Sequence, residues 1–149
     1  MRQMQTTVAT GTKHFGGAIF AAWLAVGYAD ATSAKNVAVS FSVHNSLGAT
    51  ISLQAASCSP RASIEPPLMI ANNATRTFSA SAAGGTLLCT VRYQRGAGGC
   101  QFQVQVNAVG RITTGFASAN AYKVTGGRPS CGGNGITATS QEAGTFTMQ

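Results

Sequence analysis

Leu87, Cys89, Val91 and Tyr93 occupy every second position, the chain passes through Gly96-Ala97-Gly98-Gly99, and Cys100, Phe102, Val104 and Val106 resume the alternation. Successive side chains of a strand point to opposite faces, so a period of two on both sides of a glycine turn reads as an antiparallel hairpin with one buried face. Centring the turn on Gly96 and Ala97 sets Cys89 opposite Val104 and Cys100 opposite Tyr93. A Cys89–Cys100 bridge would then span several positions along the ladder, beyond the Cα separation of about 7 Å that a disulfide tolerates. Each of the two cysteines is expected instead to tie the sheet to a loop. The pairing Cys58–Cys89 with Cys100–Cys131 is preferred to Cys58–Cys100 with Cys89–Cys131. In the preferred pairing each bridge closes a loop of about thirty residues, which the chain-entropy view values at roughly 3 to 4 kcal/mol.

Period two recurs along most of the remaining chain and a sustained 3.6 period does not. Val37, Val39, Phe41 and Val43 alternate with small or polar residues, and Asn45-Ser46-Leu47-Gly48 is expected to turn the chain into a partner strand, Ala49 to Gln54. Cys58 to Pro67 reads as a loop, because its three prolines remove donors and hold the backbone extended. Short strands follow at Thr75 to Ala80, Gly110 to Phe116, Asn120 to Thr125, Ile136 to Thr139 and Thr145 to Gln149. Gly126 to Gly135 reads as a flexible loop tethered by Cys131. The expected fold is therefore all-β: a small antiparallel sandwich, or a small barrel, of about seven to nine strands stapled by two disulfides.

The N-terminus has its own grammar. Arg2, Lys13 and His14 precede the twelve-residue apolar run Gly17 to Tyr28, and Ala29-Asp30-Ala31 follows. Basic region, short apolar region and small-x-small site make a signal peptide over 1–31, and the run falls short of the roughly 20 residues that span a bilayer. The expected organisation is a leader at 1–31 and one domain at 32–149, in a secreted, periplasmic or cell-surface location. Losing Arg2, Lys13 and Asp30 leaves eight cations against two carboxylates, a net charge of +6. These cations are scattered singly, unlike the clustered basic and aromatic stripes of nucleic-acid binders, so no specific nucleic acid is expected. Arg92 and Arg95 come nearest to a cluster. They are the candidate anion-binding residues, Arg92 on the outward parity of its strand and Arg95 beside the glycine turn.

Catalytic chemistry is scarce. After the leader the chain has one histidine, His44, no aspartate and two glutamates, so a Ser-His-Asp triad cannot be assembled. Glu65, beside Pro66 and Pro67, and Glu142, in a polar stretch, read as surface carboxylates rather than a glycosidase pair. The cysteine spacings of 31, 11 and 31 match no paired zinc motif. No cofactor, no metal and no enzymatic activity are expected. The glycine pairs Gly84-Gly85 and Gly132-Gly133 read as turns and bulges.

What remains is a non-catalytic binding or adhesion module with a basic, Ser/Thr/Gln-rich surface, whose partner is an anionic cell-surface glycan or lipid, a protein, or itself. A pilus-like fibre subunit is a second reading, motivated by the alternating ends Asn36 to Val43 and Thr145 to Gln149, which could donate or accept strands. A small inhibitor presenting Ser59 to Pro67 is a weaker one. The layout of Val37 to Leu53, Ile64, Phe78 and the Leu87–Val106 hairpin resembles aegerolysin-type and actinoporin-type lipid-binding proteins. The resemblance lies in strand spacing alone, over about two-thirds of the chain after the leader. It implies a membrane-acting β-sandwich and assigns no residue a role.

Overall fold

The computed structural model describes residues 35–122 and 129–149; the expected leader lies outside them. Nine strands make up these residues: β1 (Asn36–Asn45), β2 (Ile51–Ser59), β3 (Met69–Ile70), β4 (Thr75–Ala83), β5 (Thr86–Arg95), β6 (Gly98–Val109), β7 (Ile112–Tyr122), β8 (Cys131–Ala138) and β9 (Gln141–Met148). One sheet has the order β4-β1-β9-β8 and the other β3-β2-β5-β6-β7. All pairings are antiparallel except β1 with β9. The molecule is the all-β sandwich that the alternation predicts.

The β5–β6 register follows the alternation residue by residue, with Leu87 opposite Val106, Cys89 opposite Val104 and Tyr93 opposite Cys100. All of these are fully buried. They meet the inward residues of β1, Val37 to Val43, and a chain of aromatic contacts ties the sheets together. Phe78 stacks on Phe41 at 5.2 Å, Phe41 meets Phe146 at 5.7 Å, and Phe146 stacks on Phe102 at 4.8 Å. The first three belong to one sheet and Phe102 to the other, so the core is held across its thickness as well as along each ladder.

Several expectations give way. β1 and β2 are not a hairpin, for they lie in different sheets and the segment between them crosses the sandwich. Asn45, the last inward residue of β1, is fully buried. Its Nδ2 donates to the carbonyls of Ala49 (2.8 Å) and Ile70 (2.9 Å), and its Oδ1 accepts from the Leu47 amide at 3.1 Å. One side chain thus satisfies the bend, so the backbone needs no hairpin partner. The ends proposed for strand exchange are not free either. β1 and β9 pair with each other, from Ala38 with Gln141 to Asn45 with Met148, which leaves neither as an edge.

β2 runs on to Ser59, so Cys58 lies in a strand rather than at the start of a loop. The register slips by one residue between Leu53 and Ala55. That bulge moves the inward parity from Leu53 to Ala56 and Cys58, and sets Cys58 directly opposite Cys89. The Cys58–Cys89 disulfide is accordingly a cross-strand bridge within one sheet, with a Cα separation of 4.1 Å. Cys100–Cys131 joins β6 to β8, one sheet to the other, at 5.8 Å. The preferred pairing is correct, but both bridges connect strand to strand rather than sheet to loop.

At the C-terminal side, the two strands expected around Phe116 and Asn120 are one. β7 follows β6 without a break from Val109 opposite Ile112 to Gly99 opposite Tyr122, because a twelve-residue β6 offers a ladder long enough for both. Residues 123–128 lie outside the described set. The glycine-rich segment after them is a strand from Cys131 onward, not a loop, and Gly132 and Gly133 are part of it.

Candidate functional site

Two surfaces stand out, both carried by β6 and β7. The first is the outer face of the five-stranded sheet. Since Phe102, Val104, Val106 and Ala108 point inward, Gln101, Gln103, Gln105 and Asn107 must point outward, and each is half-buried among its neighbours. Gln105 Nε2 donates to Asn107 Oδ1 at 3.2 Å. Arg92 faces Gln101 across the β5–β6 ladder, donates from Nε to Gln101 Oε1 at 2.7 Å, and lies 5.5 Å from the centre of the Tyr122 ring. A cation near an aromatic face is held there by the ring quadrupole. The Tyr122 ring lies across Gly99, where any Cβ would meet it at about 2.6 Å. Burial pushes the Tyr122 hydroxyl above its ordinary range, against the opposing pull of Arg92.

The second surface is the end of the sandwich where β6 turns into β7. Val109 and Ile112 face each other across the Gly110-Arg111 turn and are 76% and 70% exposed. Aliphatic side chains paired across a tight turn ordinarily gain from being covered, and here nothing among the described residues covers them. Arg111 is exposed at the tip, where it lines a shallow notch with Thr113, Thr137, Ala138 and Thr139. Leu68 and Met69 are also exposed, but they sit at the opposite end, beside the start of β2.

Arg92 and Arg95 are both exposed, yet the structure does not bring them together. Arg92 lies on the outward parity of β5. Arg95 lies on the inward parity at the last pair of the ladder, opposite Gly98, where its guanidinium donates to the Leu47 carbonyl. His44 is on the outer face of β1, next to its end, with Nδ1 at 3.0 Å from Thr75 Oγ1. Glu65 is exposed in the segment between β2 and β3.

Glu142 is the main surprise. Expected at the surface, it is 1% exposed. From β9 its carboxylate reaches toward β7 and β8, where it accepts from Thr137 Oγ1 and occupies the space that a Cβ on Gly115 or Gly135 would need. The sequence did hold a signal for this: Glu142, Gly144, Phe146 and Met148 share one parity, so an inward Phe146 implies an inward Glu142.

The fold is shared with a lipid-binding protein. A solved structure described as the lipid binding protein Nakanori superposes with a TM-score of 0.59 over 76% of this chain and 71% of that one, at 11% sequence identity. The likeness is therefore one of architecture. No family model matches the chain, and no curated protein matches it either.

Proposed function

We propose that the protein is an exported, non-catalytic binding module that docks on an anionic lipid surface through its β6–β7 end. The observation that carries this reading is the exposed Val109–Ile112 pair with Arg111 between them. Covering an aliphatic side chain of this size gains about 1.5 to 3 kcal/mol. A cation near an anionic membrane adds about 1 kcal/mol. One tip then supplies roughly 4 to 7 kcal/mol, a dissociation constant between about millimolar and 10 µM. Binding of that strength is reversible and sensitive to salt, comparable to a single acyl anchor.

Other features support the reading without deciding it. The similar solved structure is described as lipid binding, two disulfides suit an oxidising compartment, and the surplus of cations favours an anionic surface. A non-catalytic role accords with the different settings of the two glutamates, Glu142 buried on β9 against Thr137 and Glu65 exposed in the segment between β2 and β3. Co-sedimentation with phosphatidylcholine vesicles, with and without phosphatidylserine, tests the reading. The protein should pellet with the anionic vesicles at low salt, and Val109→Ser with Ile112→Ser should weaken that binding at least tenfold. Equal binding by the double variant would overturn it.

A further inference from the structure

The amide row on β6 answers a different question from the aliphatic tip. We propose that the outer face of the five-stranded sheet binds a neutral polysaccharide chain laid along β6 and β7.

Gln101, Gln103, Gln105 and Asn107 are four successive outward residues of one strand, spaced about 6.7 Å apart by the pleat. Each primary amide carries two donors and two acceptor lone pairs and no charge. A sugar hydroxyl likewise both donates and accepts, so a row of amides matches a row of hydroxyls without the desolvation cost that charged partners impose. Among the described residues of β5, β6 and β7, the one charged side chain on this face short of the terminal turns is Arg92, and its Nε is already engaged by Gln101. An anionic polymer would find little here to hold. A neutral one has no charge to desolvate.

The row is also pre-organised. β6 lies inside the sheet between β5 and β7, and neighbouring side chains tie Gln101 and Gln105 down, so little rotamer freedom remains to be lost on binding. Phe116 stands opposite Gln105 on β7 and is 44% exposed. The negative face of its ring suits the C–H face of a pyranose. From Phe116 to Tyr122 is six residues, roughly 20 Å of extended strand, which suits a chain of several sugars better than a single one. A second copy of this protein is a poorer occupant, because the centre of a self-associating face is normally apolar and the central strand of this one presents amides, with Phe116 and Leu88 flanking them.

The test uses the oxidised protein in native electrophoresis through gels containing mannan, xylan or soluble β-glucan, with pull-down on chitin and on cellulose. At least one of these neutral polysaccharides should retain it, and retention should survive about 1 M salt, where charge attraction is screened. Gln103→Ala with Gln105→Ala, and separately Phe116→Ala, should each weaken retention at least tenfold while the circular dichroism spectrum stays that of the parent protein. Retention by none of the five, retention abolished by salt, or retention undiminished in both variants would overturn the proposal. So would a concentration-dependent dimer of the parent protein that Gln103→Lys abolishes, since the face would then belong to a second copy.

Discussion

The β5–β6 and β8–β9 hairpins cover the same core by opposite means. In β5–β6 the inward positions carry large side chains, Leu87, Val91, Tyr93, Phe102, Val104 and Val106, each buried completely. In β8–β9 they include Gly133, Gly135 and Gly144, and neighbours take up the space. The Phe146 ring lies where Cβ atoms on Gly133 and Gly144 would be, and the Glu142 carboxylate lies where one on Gly135 would be. β8 also approaches β7 closely with no ladder between them; a Cβ on Gly135 would stand 2.9 Å from that of Ala117. The first hairpin is specified by its own pattern. The second is specified by what its neighbours leave unoccupied.

The contrast can be broken most forcefully at Phe102. Phe102→Ala removes the ring that links β6 to Phe146 and should destabilise by about 3 to 5 kcal/mol, measured by denaturant unfolding. A cost near 1 kcal/mol would mean that the glycine-lined side can collapse into the cavity.

The next effect in size comes from the bridge between the sheets. Cys100→Ala with Cys131→Ala should cost about 2 to 5 kcal/mol. Because β8 has few large side chains facing the core, hydrogen exchange in the double variant should rise first in β8, and equal exchange in β5 would contradict the contrast.

Gly135→Ala should cost about 1 to 3 kcal/mol by overpacking against Glu142 and Ala117. Combined with Glu142→Ala, the penalty should fall short of the sum of the two single changes, because the carboxylate that the new methyl meets is gone. Strict additivity would show that Ala117, not Glu142, sets the limit at Gly135.

The difference between the hairpins also explains what could be read in advance. The parity of β5 and β6, their register and the exclusion of a Cys89–Cys100 bridge were legible because each follows from alternation within a few residues of a turn, whereas the partners of Cys58 and Cys131 depend on the bulge in β2 and on the packing of one sheet against the other. The outward direction of Gln101, Gln103, Gln105 and Asn107 follows from the same parity, as the complement of Phe102, Val104 and Val106, but parity alone does not mark them as a site. The aliphatic tip was hidden by taking Gly110 to Phe116 as a strand start, whereas the turn falls at Gly110-Arg111 and leaves Val109 and Ile112 paired beyond the core. Arg92 was placed outward correctly. Its engagement by Gln101 and Tyr122 depends on strands on either side of it.

By itself the sequence determined the class of fold, the inward faces of β1, β5 and β6 and the exclusion of a Cys89–Cys100 bridge, because the pleat turns a local period of two into one buried side. The tertiary structure decided which strands share a sheet. Five residues between β1 and β2 can close a hairpin or cross a sandwich, and only the Ala49 and Ile70 carbonyls waiting for the Asn45 amide choose the crossing. It also decided that the glycines of β8 are a strand and what surrounds the Glu142 carboxylate, whose inward direction the parity of β9 already carried. Both depend on the volume left by Phe146, Gly115 and Ala117, which no window of neighbouring residues contains.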